Sequence, residues 1–249
     1  MKKLSFIIVM VLATGFAMAQ KTTYVTQGGI GNTANITQDA GFSTIQTFIY
    51  ATQNGSYNIL NTNQSGIDNY VGLTQNGNNN TANLSQTTWD SGINTGGVNQ
   101  DGTSNTTNLT QKGSLVLPFS DRSSNKSIAY QTGTSGNFNL YQEGLKNYSE
   151  LTQTASSNDD KASLTQKNVL LLTIIPTDIS NSWQYGANSK INLTQTQIDG
   201  KPSSEQTANT YQSGAGNTTS IEQISLYKQI VSSTEEGSAN TLNVYQHNQ

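Results

Sequence analysis

Primary amides are the chemical groups that this chain spaces with regularity. Gln27 to Gln38 reads Q-G-G-I-G-N-T-A-N-I-T-Q, and the frame returns at Gln75 to Gln86 and at Gln100 to Gln111. An amide carries both a donor and an acceptor, so amides brought into a column bond to the one above and the one below. A lone buried amide is costly, whereas a stacked one is satisfied. The expected ladder residues are Gln27, Asn32, Gln38, Gln53, Asn58, Gln64, Gln75, Asn80, Gln86, Gln100, Asn105, Gln111, Gln131, Gln142, Gln153, Gln166, Gln184, Gln195, Gln212, Asn217, Gln223, Asn240 and Gln246.

Groups that could carry catalysis are sparse. His247 is the single histidine, two residues from Gln249, and its expected role is that of a chain tail. Serine and threonine abound without a histidine to activate them, so no nucleophile arrangement of the usual kind can be drawn. Asp159 and Asp160 adjoin in an enlarged turn; a cation site is one reading of them, and solvated turn acids the expected one. Gly28 to Asn32 is superficially like the glycine-rich calcium β-helix repeat, but that repeat draws its ligands from aspartate and this one carries Asn. Cysteine is absent, which removes disulfides and thiolate metal sites. The expectation is a chain that is not an enzyme and takes no cofactor, metal or small-molecule substrate.

Charge points the same way. The 12 basic and 15 acidic residues are scattered, with no basic patch of the kind that nucleic acid requires. Hydrophobic residues make up 33% of the chain, under the roughly 45–50% of ordinary globular domains, so a conventional core is not expected.

The elements that must position the amides follow from counting. Aligned on the opening residue, nine units start at Gln27, Gln53, Gln75, Gln100, Gln131, Gln153, Gln184, Gln212 and Glu235, the sixth with two extra residues around Ser156 to Asp159. In a strand alternate side chains share a face. By that rule Asn32, Ala34, Ile36 and Gln38 point one way, and the second half of every unit repeats the set. The apolar core is therefore expected from Ala34, Ile36, Leu84, Leu109, Leu140, Leu164, Leu193, Ile221 and Val244, while Asn35, Asn61, Asn83 and Asn108 face outward. The run into each opening Gln has the same form, as in Asn69-x-Val71-x-Leu73-x-Gln75, and Gly28 to Gly31 reads as a tight turn.

Two strands and two turns make a coil, and coils stacked about 4.8 Å apart bring equivalent residues into register. The fold class expected is all-β: a two-sided β-solenoid of about nine strand-turn-strand coils, a rod roughly 43 Å long. Two insertions, Leu115 to Phe119 and Val169 to Pro176, are apolar and are expected to pack together or to make a lateral contact. Before the repeats, Lys2 and Lys3, the apolar run Leu4 to Phe16 and Ala17-Met18-Ala19 read as a secretory signal peptide over residues 1–19. Residues 20–249 are then the exported solenoid.

The pattern Gln-x-Gly-x-Gly-Asn-x-Ala-x3-Gln, met by Gln27, Gly29, Gly31, Asn32, Ala34 and Gln38, resembles the curlin repeat, and partial matches run to Gln246. Where that family usually has Ser, six places before the opening Gln, this chain has Asn69, Asn94, Asn125 and Asn147. The resemblance implies a subunit of curli, the extracellular amyloid fibres of bacterial biofilms, as the major subunit or as the minor nucleator. It also implies a second curlin-like subunit, an export channel and chaperones as partners. With the first coil placed close to the cleavage site and the last ending near Gln246, the ends are expected to pair head to tail into a homopolymer. The alternative is a monomeric glycan-binding β-solenoid adhesin, to which the mixed outward column Thr26, Thr52, Thr74, Asn99, Tyr130, Thr152, Trp183 and Tyr211 lends itself.

Overall fold

Strict alternation of inward and outward residues dictates a sheet buried on one face, and two such sheets back to back bury each other. The computed structural model describes residues 21–39, 47–66, 68–88, 93–113, 124–144, 146–154, 159–168, 177–197, 205–225 and 228–248. The expected signal peptide and both apolar insertions lie outside the described residues.

The chain alternates between two sheets. The first three coils are β1 (Lys21–Ile30) with β2 (Thr33–Asp39), β3 (Thr47–Ser56) with β4 (Ile59–Ser65), and β5 (Asn69–Asn78) with β6 (Thr81–Thr87). The middle three are β7 (Ile93–Thr103) with β8 (Thr106–Gly113), β9 (Ser124–Thr134) with β10 (Asn137–Gly144), and β11 (Asn147–Thr154) with β12 (Lys161–Asn168). Then come β13 (Thr177–Ala187) with β14 (Lys190–Gln197), β15 (Glu205–Ala215) with β16 (Thr218–Ser225), and β17 (Gln229–Glu236) with β18 (Thr241–Asn248).

Odd strands form one nine-stranded sheet in sequence order and even strands the other. Every pairing is parallel, and the described residues contain no helix. This is a β-solenoid. Its strands correspond to the nine units counted in the sequence: seven coils have a neighbour on both sides, and the outer two are open on one side.

Register follows the repeat. Gln27 pairs with Gln53, Gln53 with Gln75 and Gln75 with Gln100 in the odd sheet; Gln38 pairs with Gln64 and Gln64 with Gln86 in the even one. Between the sheets lies a single apolar core that includes Ile49, Leu60, Val71, Ala82, Leu84, Leu109, Phe138, Leu140, Leu151, Leu164, Ile191, Leu193 and Ile221. Of the core residues expected from sequence, Ala34, Ile36 and Val244 are only partly buried, because they belong to the open end coils.

The turn differs from expectation. The strand does not stop at Gln27 but continues through Gly28 and Gly29 to Ile30, since these residues remain paired with Asn54, Gly55 and Ser56 one coil along. Chain reversal follows at Gly31 and Asn32. At Gly29, Gly55, Gly77, Gly102, Gly133, Gly214 and Gly237 a left-handed glycine, two places after the residue that opens the unit, is followed by a second left-handed residue two places further on. The two positions have different requirements. At Gly77 (φ 104°) an added Cβ would stand 2.0 Å from the carbonyl oxygen of Gly102, so only glycine fits. At the second position φ is about 56–59°, which Tyr57, Asn79, Ser104 and Ser135 all adopt.

Gly77→Ala is therefore expected to destabilise the stack by more than about 2 kcal/mol, from backbone strain and a backbone clash together. Ser104→Gly, in a conformation of the same hand with no such clash, should shift stability by less than about 1 kcal/mol. Urea unfolding of the two variants checks both.

Candidate functional site

Glutamines close both long edges of the core. In the odd sheet each amide donates from Nε2 to the Oε1 one coil along: Gln27 to Gln53 at 2.6 Å, Gln53 to Gln75, Gln75 to Gln100 and Gln100 to Gln131 each at 2.8 Å, then Gln131 to Gln153 at 3.3 Å. The seam goes on from Gln153 to Gln184 at 2.6 Å and from Gln184 to Gln212 at 3.1 Å. In the even sheet Gln38, Gln64, Gln86, Gln111, Gln142, Gln166, Gln195, Gln223 and Gln246 form the equivalent seam, with spacings from 2.7 to 3.0 Å.

In most inner coils the second proton of the Nε2 has its own acceptor. Gln53 donates to the Thr33 carbonyl at 3.2 Å and Gln64 to the Phe48 carbonyl at 3.3 Å, so the amides tie one sheet to the other at the corners. In the inner coils the glutamines are almost wholly withdrawn from water, and this satisfaction is what allows it.

The asparagines have another task. Asn58 donates to the carbonyls of Asn54 at 3.1 Å and Gly77 at 2.9 Å, and its Oδ1 accepts the Asn80 N–H at 3.0 Å. It clamps its own arch and reaches the next. Asn32, Asn80, Asn105 and Asn217 take equivalent positions, with Asn240 on the open face. In coils five to seven the place is held by Gly136, Asp160 and Ser189, and backbone N–H groups still follow the pattern: Gly136 N to Asn105 Oδ1 at 3.0 Å, Ser189 N to Asp160 Oδ1 at 2.7 Å. Asp160 is thus a buried member of the column, contrary to the expectation of a solvated acid, and burial pushes its carboxyl up to about 6 against the lowering effect of the Ser189 N–H. Asp159 beside it is exposed, as expected.

A third inward column, at the returning edge, was only half visible in the sequence. It holds Thr47, Asn69, Asn94, Asn125, Asn147, Asp178, Gln206 and Gln229, all buried. Asn125 donates to Asn94 Oδ1 at 3.2 Å and Asn147 to Asn125 Oδ1 at 3.1 Å. Asp178 follows with no hydrogen-bond partner on either oxygen, and burial alone pushes its carboxyl up to about 8. Counting six places back from Gln184 would have found it.

The outer faces carry ladders of their own. Asn35, Asn61, Asn83, Asn108 and Asn139 bond in series at 2.7 to 2.8 Å. Tyr24 stacks on Tyr50 with centroids 5.1 Å apart, and Tyr70 follows at 5.9 Å, all three rings substantially exposed. His247 is no loose tail: it lies in β18, beside Glu222 at 3.6 Å. Among the described residues no group of three or more His, Cys, Asp or Glu could hold a metal ion.

Asp178 makes stability depend on pH with a defined sign. Its carboxyl is held protonated in the fold to about pH 8 but ionises near 4 when unfolded. The folded form binds the extra proton between those limits, so stability falls as pH rises from about 4 to about 8. Asp178→Asn is expected to flatten that slope and to stabilise the stack at pH 8 by about 1–3 kcal/mol, the scale of an unsatisfied buried polar group. Denaturant midpoints of both proteins across that range check it.

Compared with protein-family models and with curated proteins, the chain gives no match.

Proposed function

We propose that this chain is a secreted structural subunit whose nine coils polymerise head to tail into extracellular, curli-type amyloid fibres for cell adhesion and biofilm matrix. The observation that carries this reading is the complementarity of its two open faces. Laid over the first coil in the register of the inner coils, the ninth places Gly237 on Gly29, Asn240 on Asn32, Leu242 on Ala34, Asn243 on Asn35, Val244 on Ile36 and Gln246 on Gln38.

Polar groups at the ninth coil are set for such a neighbour. Asn240 uses its backbone N–H on Asn217 Oδ1 at 3.1 Å and its Nδ2 on the Glu236 carbonyl at 2.7 Å. Its Oδ1 faces the place where, in inner coils, the N–H of the next asparagine arrives. The strands β1, β2, β17 and β18 are the outer strands of their sheets and present unpaired backbone edges. A heterologous contact of this kind does not close on itself and propagates as a filament. The curlin-like repeat supports the same reading, with a second curlin-like subunit, an export channel and chaperones as partners. It leaves both roles open, major subunit and nucleator.

The exposed Tyr24, Tyr50 and Tyr70 rings favour a second reading, a glycan-binding adhesin, because stacked aromatics offer a platform for sugar faces.

The chain starting at Gln20, incubated after purification, is expected to form fibres after a lag in thioflavin fluorescence and to give a cross-β reflection near 4.8 Å. A chain that stays monomeric would sink the proposal, and retention of that monomer on polysaccharide, lost in Tyr50→Ala, would favour the adhesin.

A further inference from the structure

The odd-sheet seam ends on a side chain that cannot donate while ionised. Glu235 is buried, at 6% exposure, and accepts Gln212 Nε2 at 3.1 Å on Oε2 and Thr219 Oγ1 at 2.6 Å on Oε1. Since a carboxylate only accepts, Gln212 must turn its amino group toward it. Gln184 then donates to Gln212, and so on back to Gln27, whose Nε2 gives one proton to Gln53. The acid fits the direction of the whole seam, which the even seam shares while ending on Gln246. That direction leaves Gln27 with its oxygen toward the open face of the first coil.

At a head-to-tail junction this produces a single conflict. The register that matches glycine, asparagine and apolar columns places Gln27 Oε1 of the incoming copy against the Glu235 carboxylate, acceptor against acceptor. In the even seam no such conflict arises, for Gln246 Nε2 can donate to Gln38 Oε1.

Charged and titratable groups of the packed elements do not relieve it. On β17, Glu236 faces outward; on β15, Glu205 pairs with Lys228 at 3.4 Å on the outer side and Tyr211 is outward too. On β16 and β18, Glu222 and His247 face each other outside, as does Tyr245, and Lys190 of β14 is exposed. On the incoming first coil, Lys21 belongs to the opposite end of β1, in register with Gln229, and Asp39 of β2 is exposed.

We propose that Glu235 makes the junction with a second copy of this chain an acid-closed contact. This rests on the head-to-tail reading. One proton taken from water by the carboxylate gives an O–H that donates to Gln27 Oε1 of the incoming copy and carries the seam across the junction. Without that proton, two acceptors are buried against each other and the ninth-coil face resists extension.

The test is seeded elongation, followed by thioflavin fluorescence from about pH 4 to about pH 8, of the wild-type chain and of Glu235→Gln, each on its own seeds. Glu235→Gln restores the residue type of every other coil in the column. Asp160 and Asp178 titrate in both proteins, so the ratio of the two rates isolates Glu235. The variant is expected to match wild type at the acid end and to outpace it by about tenfold or more at the alkaline end. Gln27→Lys, which brings a donor to the incoming face, should recover wild-type elongation at the alkaline end. Equal pH profiles for wild type and Glu235→Gln would overturn the role of Glu235 alone. Failure of both to form cross-β fibres at any pH would overturn the head-to-tail reading and this inference with it.

Discussion

The structure depends on one constraint: each residue lies directly over its equivalent in the next coil. Parallel, in-register pairing makes every side chain the neighbour of its own kind, which is ruinous for like charges and favourable for groups that both give and accept a hydrogen bond. Amides meet that condition at any depth. This is why a chain with only 33% hydrophobic residues can bury long rows of glutamine and still close a core. It is also why charge is rare in the inward columns. Where an acid does enter, at Asp160 and Asp178, burial raises its carboxyl above the usual range, and at Glu235 a carboxylate accepts from Gln212 and Thr219.

The seams and the core were legible because they rest on counting. Gln27, Gln53 and Gln75 recur in one frame, and a strand period of two then assigns Leu84 and Leu109 to the interior without further information. Less legible was anything that depends on the neighbouring coil instead of the local chain. Gly28 to Ile30 looked like a turn by residue type, yet pairing with Asn54 to Ser56 keeps it in the sheet. Two extra residues before Asp160 hid its place in the asparagine column, and the insertion before Asp178 did the same. The Tyr24 and Tyr50 stack was hard to read because its column gives way to Gly72 and Gly97 in the next two coils.

The two left-handed positions of the arch place different steric requirements on similar backbone. Both positions are left-handed, so propensity alone would place glycine at each. Only at the first does the carbonyl of the adjacent coil stand where a Cβ would go, as Gly102 does for Gly77. At the second, Tyr57, Asn79 and Ser104 carry the strain locally and leave the stack undisturbed.

The shared direction of the amide bonds has an electrical consequence. In both glutamine seams, and in the outer asparagine row from Asn35 to Asn108, nitrogen points toward the ninth coil and oxygen toward the first. The side-chain dipoles therefore add along the rod, as peptide dipoles add along a helix, while the sheets themselves contribute little. These three rows are polarised end to end, negative at the first coil and positive at the ninth, while the short run Asn94, Asn125 and Asn147 points the other way. Two rods lying side by side would lower their energy by running in opposite directions, and the carboxylate of Glu235 sits at the end where that polarisation welcomes a negative charge.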